Sequence, residues 1–482
     1  MVPGSTPPPE PNRAPGEPAA KRYRVGTLAY TRSALIQVMF WMLWGDFFFQ
    51  LLESLPSLIP LQLRWEGASD VLIGFNGSLT SICMIIMSPI AAVQSDRRRG
   101  WLGRRRPFLL WCTPPAVLSL MMLGLAKPGG ALLQQLLARL GGSQFTTAGC
   151  TIAWLMAGSV LFWVFNTYIV QVYAAMVVDV IPAEVIGKFT GLYRAVGGLG
   201  SLAFNRWAMG YVEAHTFHVY ALIGLLYAGA FYLIVWKIKE GNYPPPAPRA
   251  RNRRWSGIMT YCRECFTHPF YLNVYCLPFF TWCSLVPMGY MVFYATAAGK
   301  PGYAATLGMT LKEFGELKSW TFLVQVVVYL TAGAFVDRFH PLRIGMVGLL
   351  LTGISYFCCF WFIHDPSSLL LWWCLNQAAS AMFLVAYLSL LPRLLPTDKY
   401  GQFFSANSTI GFITLVLSPP LFGWLLETIR DYRYIFYFSG ICMTLAFIAC
   451  VTLFRQWQKL GGDLTFTPPR TERPASPATT GE

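Results

Sequence analysis

Charged residues are scarce in this sequence of 482 residues: Asp, Glu, Lys and Arg make up 12% of the chain, whereas hydrophobic residues make up 55%. A soluble protein carries roughly twice that charged fraction, about 25%. Apolar runs of about twenty residues recur along almost the whole length, and each is long enough to cross a bilayer. The alternating segments of about ten residues that build a transmembrane β-barrel are missing. The composition therefore excludes a soluble domain and predicts an all-α membrane protein with many spans.

Catalytic and metal-binding signatures are also missing. No GxSxG, P-loop or HExxH sequence occurs. The CxxC formed by Cys262 and Cys265 has no second pair, and no nearby pair of histidines, to complete a zinc site. Most of the other cysteines fall inside apolar runs, where they act as small hydrophobic residues. We therefore expect neither an enzyme nor a cofactor or metal site.

Positive charge, by contrast, is in excess, with a formal net charge of +15. Such an excess can indicate a nucleic-acid-binding protein, but here Lys and Arg gather in short loops between apolar spans. Both tails and the loops after even-numbered spans hold most of them. Because basic loops stay on the cytoplasmic side, we expect both termini in the cytoplasm, membrane lipids as partners, and no nucleic acid.

Twelve spans can be placed, and a polar segment divides them into two sets of six. Residues 237–269 contain the stretch NYPPPAPRARNRRW, which breaks the hydrophobic pattern and predicts a cytoplasmic linker. The two six-helix halves are then residues 34–236 and 270–455. The tails, residues 1–33 and 456–482, are rich in Pro, Ser and Thr and are expected to be disordered and cytoplasmic. The predicted spans are 34–62, 70–93, 107–126, 149–178, 188–212, 217–236, 270–297, 317–336, 343–363, 367–392, 402–426 and 432–454.

Two loop signatures occur once in each half, in the same order. Asp96-Arg97 after the second span has a counterpart in Asp337-Arg338 after the eighth span. The stretch VIPAEVIGKF after the fourth span matches LLPTDKYGQF after the tenth in the spacing of its Pro, Gly and Phe. Internal repeats of this kind are a feature of transporters, in which the substrate site lies near the membrane midplane between the repeats. The sequence therefore predicts a duplicated architecture of six plus six helices.

With this plan, the chain resembles the major facilitator superfamily of secondary transporters. The loop SDRRRGWLGRRRPF resembles, more narrowly, that of the glycoside–pentoside–hexuronide:cation symporters and the related sucrose-transporter-like proteins. The stretch GDF in the first span, with Asp46 at its centre, is similar to the first-helix motif of that family. The resemblance implies a sugar-like substrate contacted by Asp46. It also implies sugar contacts for Asn166, which stands where the family has an aspartate, and for Arg194, which lies near a family arginine.

The cation-binding positions depart from that family. The sodium–melibiose branch holds its ion with two aspartates ahead of a proline, and with Pro89 as the anchor those positions are Met84 and Ser88. Sodium coupling of that type therefore does not carry over. Proton coupling and facilitated diffusion are the two interpretations that remain.

The first predicted span contains three polar residues at helical spacing. Asp46, Gln50 and Glu53 are spaced i, i+4 and i+7, which places them on one face of a helix. Ionisable side chains inside a bilayer are costly and usually face a cavity. We therefore expect this face to line the substrate cavity, with either acid as the proton site. The alternative is that one of the acids serves packing alone, either neutral or paired with a basic residue elsewhere.

Three further side chains are candidates for the same cavity. Trp44 can stack against a sugar ring, or it can lie at a membrane interface, where Trp is common. Gln325 and Asn376 lie inside later spans. Each either lines the cavity or forms a hydrogen bond between helices.

The Asp-Arg loops suggest a conformational latch. Asp96 and Asp337 end their spans, so each can pair with neighbouring arginines and with the positive N-terminal end of a helix. The arginines in question are Arg97, Arg105 and Arg338. If the halves meet at these loops, the contacts form only when the cytoplasmic side is closed. We therefore expect the loops to hold the outward-open state.

The sequence thus predicts a monomeric, multi-pass transporter of the cytoplasmic (inner) membrane. It would move a sugar or glycoside by alternating access, in symport with protons. Two alternatives stay open. One is an exporter or facilitator of another small molecule on the same fold, which the direction of flux would separate. The other is a non-transporting sensor or scaffold, which deletion of the tails would reveal.

Overall fold

The computed structural model describes residues 23–141, 144–241, 261–304, 306–396 and 399–469. The elements of the first half are β1 (Tyr23–Val25), β2 (Leu28–Tyr30), α1 (Arg32–Glu53), α2 (Ile59–Trp65), α3 (Asp70–Arg97), α4 (Arg106–Gly124), α5 (Ala126–Arg139), α6 (Thr147–Val180), α7 (Ala183–Ala203) and α8 (Val212–Lys237). Those of the second half are α9 (Pro269–Leu285), α10 (Met291–Ala295), α11 (Leu311–Arg338), α12 (Pro341–Phe362), α13 (Pro366–Leu394), α14 (Tyr400–Ile429), α15 (Tyr434–Lys459) and α16 (Gly462–Thr465).

Ten helical segments of the described ranges are long and apolar enough to cross a membrane. One of them, Glu184–Lys237, has 54 residues, which is about 81 Å at 1.5 Å per residue and more than twice the bilayer core of about 30 Å. Its backbone leaves the α-helical course at Phe204–Tyr211 and again at His215, so this segment makes two passes. The 28-residue α11 supplies the remaining pass. The described ranges therefore hold twelve passes in two halves of six, as the sequence predicts.

Capping side chains explain where several of these helices begin. Thr31, Ser69 and Thr146 each accept a hydrogen bond from the backbone amide three residues later, at the starts of α1, α3 and α6. Each bond satisfies a donor that the helix itself leaves unpaired. In the second half, Asp365 and Ser368 form a reciprocal capping box ahead of α13. Local polar chemistry therefore fixes the helix starts, while the apolar runs fix the helix lengths.

The two halves meet along two helix pairs, α3 with α14 and α7 with α11. Glycines bring the backbones close together, because Gly74 lies against the backbone of Pro419 and Gly315 lies against the backbone of Asn205. These contacts lie at the end of the bundle opposite the start of α1 and the end of α15. We call this end the far side, and the other end the termini side. The halves are thus joined at the far side.

The tails are more ordered than the sequence predicts. Residues 23–30, expected in a disordered tail, form the antiparallel β1–β2 hairpin. At the other end, the Phe466 ring lies 5.8 Å from that of Phe270 in α9, and the Tyr271 hydroxyl donates a 2.7 Å hydrogen bond to the Pro469 carbonyl. Aromatic side chains give these segments a surface on which to order. The remaining tail residues, 1–22 and 470–482, and residues 242–260 of the predicted linker lie outside the described ranges.

An additional helix, α5, joins the third and fourth passes at the far side. Its 14 residues include Lys127, Gln134, Gln135 and Arg139, so it is too polar and too short to be read as a span. Gly130 lies against Thr151, so α5 packs closely on α6. The sequence interpretation treated this segment as a loop.

Candidate functional site

The polar face of α1 lies against α7, as its spacing predicts. A Cβ atom at Gly197 of α7 would lie 2.8 Å from Asp46 Oδ2 and 2.9 Å from Gln50 Cγ. Gly200, one turn further along α7, lies against the backbone of α1 at Phe47. The glycines therefore let the two helices approach closely enough to enclose polar side chains between them.

Asp46 is the most isolated ionisable group of this cluster. Its side chain is fully buried, and neither carboxylate oxygen has a hydrogen-bond partner among the described residues. The Tyr193 hydroxyl and the Arg194 guanidinium of α7 lie near enough to act on its charge. Because burying an unsatisfied carboxylate is costly, the Tyr193 hydroxyl and the Arg194 guanidinium are the nearby groups that can offset this cost.

Arg194 lies where the two halves face each other. Its side chain is exposed, although it belongs to the middle of α7, and it acts electrostatically both on Asp46 in the first half and on Tyr329 of α11 in the second. A mid-span arginine of this kind faces a cavity rather than lipid. Arg194, which came only from the family resemblance, is therefore brought together with Asp46.

Glu53 has a different environment. It accepts a hydrogen bond from the Asn166 amide of α6, and Asn166 is fully buried. The Tyr227 hydroxyl of α8 is buried nearby without a hydrogen-bond partner in the described ranges. The structure thus pairs two residues that the sequence singled out for separate reasons, the periodicity of α1 and the resemblance in α6.

The second half contributes amides from two helices. Gln325 of α11 donates a hydrogen bond to Gln377 of α13, and both side chains are half-buried. Asn376, the other predicted amide, is fully buried and donates a 2.9 Å hydrogen bond to Ser355 Oγ of α12. Both hydrogen bonds join two helices of the second half, but Asn376 is fully buried, which corresponds to the packing alternative, whereas the half-buried Gln325 remains a candidate for the cavity.

Trp44 does not belong to the cluster, which corrects the sequence prediction. It is 39% exposed, stacks on Phe40 and meets Phe48 edge to face, along the opposite side of α1. Trp44 and Asp46 are two residues apart, which is about 200° around a helix. Its indole therefore cannot contact a substrate that is bound beside Asp46.

The arginine loop at the termini side forms an ion-pair network within the first half. Arg105 is 5% exposed; it lies 2.6 Å from Asp96 and 3.0 Å from Asp179, while Arg104 also pairs with Asp179. The three consecutive amides at the start of α4 donate to Glu240, not to Asp96. The predicted pairing of Asp96 with arginine is present, but the predicted contact of Asp96 with a helix N-terminus is wrong, because Glu240 occupies that position.

The latch prediction needs a second correction. The Asp96–Arg105 pair joins two parts of the first half, so it does not by itself connect the two halves at the termini side. Arg97 and Arg338 are exposed, and the Arg338 guanidinium lies over the Phe339 ring. The side chain of Asp337 lies outside the described part of the chain.

The sequence interpretation missed a network at the far side that does join the halves. Asp70, at the start of α3, is fully buried and forms an ion pair with Arg64. Both residues belong to the first half, and the sequence presents Asp70 as an ordinary helix-start acid. Its partners from the second half are the side chains of Tyr290, Tyr303, Glu427 and Tyr432.

A second missed residue is Lys318, in the far-side part of α11. It is half-buried, its ammonium lies over the Phe314 ring at 5.5 Å, and it makes no ion pair among the described residues. Lys318 and Gln325 are seven residues apart, so they lie on one face of α11. Basic residues inside a span are the signal that would have identified it. The described residues contain no group of three or more His, Cys, Asp or Glu side chains that could hold a metal ion.

Twelve passes in two halves are the architecture of a multi-pass membrane protein, and ionisable side chains enclosed at mid-span are typical of substrate and ion pathways. Residues 288–480 match the family model of the Major Facilitator Superfamily. The structure of a bacterial homologue of the iron transporter ferroportin, in an inward-facing state, aligns with a TM-score of 0.63 at 14% identity, over 87% of this chain and 98% of that one.

Two further matches are also membrane transporters. A D-xylose-proton symporter structure aligns with a TM-score of 0.60 at 14% identity, over 91% of this chain and 98% of that one. Monocarboxylate transporter 6 of Mus musculus is 25% identical over 164 residues, which are 33% of this chain and 34% of that protein. The match thus spans about a third of that relative's length. The chain therefore has the fold of the Major Facilitator Superfamily, and the matches support a membrane transporter of that type.

Proposed function

We propose that this protein is a secondary active transporter that carries a sugar or glycoside across the cytoplasmic (inner) membrane by alternating access, in symport with protons and as a monomer. The observation that carries the proposal is the mid-span cluster of Asp46, Arg194 and Glu53. Intramembrane ionisable residues mark substrate and ion pathways. The arginine loop, which resembles that of glycoside symporters, and the similarity to a D-xylose-proton symporter support the sugar as substrate.

The proposed coupling uses two arrangements of the same side chains. Proton binding removes the charge that makes the burial of Asp46 costly. Once Asp46 is ionised, Arg194 supplies a counter-charge from across the α1–α7 contact. A transporter needs two states with different contacts for proton and substrate, and an Asp46 that alternates between neutral acid and ion pair provides them.

The orientation follows from charge. The basic loops lie at the termini side, which we propose to be cytoplasmic. Contacts between the halves then form at the outer face, with the cytoplasmic side open. Arg104, Arg105, Asp96 and Asp179 would keep the first half rigid as it moves.

A second candidate is transport of a small organic anion. Lys318 favours it, because this cation has no ion-pair partner among the described residues. The similarity to mouse monocarboxylate transporter 6 points in the same direction.

Uptake into proteoliposomes with an imposed pH gradient tests both candidates. We expect neutral monosaccharides or glycosides to accumulate, and we expect Asp46→Asn to abolish accumulation while keeping the melting temperature. The matched control is Glu213→Gln, since Glu213 is an exposed acid of α8. Wild-type accumulation in Asp46→Asn would remove Asp46 from coupling. Uptake of monocarboxylates without uptake of sugars would favour the second candidate.

A further inference from the structure

A cavity of about 310 Å³ lies between the two halves, on the far side of the Glu53–Asn166 pair. Both halves contribute to its lining, with Pro56 and Asn76 from the first and Gly289 from the second. Its volume is at the lower end of the range for small-molecule sites, about 300–1,000 Å³, which suits one ring better than an oligosaccharide.

An unsatisfied amide identifies what the cavity can bind. Asn76 of α3 is 5% exposed, and its Oδ1 atom has no hydrogen-bond partner within the described ranges. Buried polar atoms are almost always paired, so a ligand hydroxyl that reaches Asn76 would supply the donor that this oxygen lacks. Thr80, four residues later on the same face of α3, also lines the cavity and adds a hydroxyl.

Most of the other lining residues are apolar, and aromatic side chains are among them. Trp163 of α6 lines the cavity, together with Ile59 and Ile73. An indole face and aliphatic side chains suit the C–H face of a ring, while the amide and the hydroxyl suit its O–H groups. No acidic or basic side chain is among the described residues that line the cavity, so a neutral ligand fits it better than an ion.

We propose that this cavity binds a neutral, polyhydroxylated ring of monosaccharide size, with Asn76 Oδ1 accepting a hydrogen bond from a ring hydroxyl and Trp163 stacking on the ring. The proposal rests on the proposed function and names the class of its substrate. Tyr290 lines the same cavity, and its hydroxyl donates a 2.8 Å hydrogen bond to the Asp70 carbonyl in the far-side network. A bound ring therefore touches the contacts that close the far side.

Gly289 provides the sharpest test. A Cβ atom there would meet no atom within 4 Å, and the position lines the cavity, so Gly289→Leu places a side chain in the proposed site. Gly229 of α8 is the matched control, because it is also exposed and has no atom within 4 Å of its Cβ position, but it does not line the cavity. We expect Gly289→Leu to lower monosaccharide uptake at least tenfold relative to Gly229→Leu, at an equal melting temperature.

If Gly289→Leu does not fold, two further measurements test whether the cavity binds the ring. Asn76→Leu should raise the KM for D-xylose or D-glucose about tenfold. In the Thr80→Cys variant, saturating monosaccharide should protect the new thiol from maleimide, quantified by mass spectrometry of that peptide. The proposal that the cavity binds the ring would be overturned if a protein that transports monosaccharides showed equal uptake in the two glycine variants or no protection at Thr80→Cys. Either result would leave the proposed function intact. A wild-type protein that transports no sugar would overturn both.

Discussion

Gly197 is the position where one added methyl group tests the polar cluster most directly. Its Cβ atom would lie 2.8 Å from Asp46 Oδ2, whereas ordinary van der Waals contact begins near 3.4 Å. Asp46 must therefore shift by about 0.6 Å, the difference between these two distances, and Gln50 must shift by a similar amount. Both atoms belong to side chains rather than to backbone, so α1 and α7 can stay in place. Gly197→Ala thus displaces the proposed coupling group without rebuilding the fold.

The control lies on the same helix. A Cβ atom at Gly191 would meet nothing within 4 Å, and either replacement of glycine by alanine favours the helix by up to about 1 kcal/mol. Since a displacement of about 1 Å at a reacting group can cost about a hundredfold in rate, we expect Gly197→Ala to lower proton-driven uptake about tenfold, or about 1.4 kcal/mol. Uptake in proteoliposomes and melting temperature in detergent are the measurements. Equal uptake by Gly197→Ala and Gly191→Ala would refute a role for the Asp46 carboxylate in transport.

Three other predictions follow from the networks at the two ends. Asp70→Asn leaves Arg64 buried without its anion, which should destabilise the state with a closed far side by about 3–5 kcal/mol. A cysteine introduced at Thr80 should then be labelled faster by a reagent added from the outside. Unchanged labelling would count against a role of the Asp70 network in closing the far side. Arg105→Gln should destabilise the first half by a similar amount, measured as a lower melting temperature, whereas the exposed Arg97→Gln should stay within about 0.5 kcal/mol of wild type. A cytoplasm-specific reporter fused after residue 245 should be active, and a silent reporter would invert the proposed orientation.

The periodicities in the sequence were sufficient for the architecture and for part of the site. Apolar runs specify twelve passes, because helices with so many apolar runs of this length are stable only inside a lipid bilayer. A helical repeat of 3.6 residues places Asp46, Gln50 and Glu53 on one face whatever surrounds them. The Asp96–Arg105 pair is also local, since its members are nine positions apart in the chain.

Other parts of the site depend on residues that are far apart in the chain. Asp70 and Tyr432, Arg105 and Glu240, and the walls of the Asn76 cavity come together only when helices from different passes pack. Hydropathy cannot reveal those neighbours, because lipid is as apolar as the interior of a helical bundle, and the faces toward lipid and toward protein look alike. The same reason explains why Trp44 was predicted to line the cavity, although it lies on the face of α1 opposite Asp46. The sequence by itself determined which helices exist and which side chains share a face, and the tertiary structure decided what each face meets.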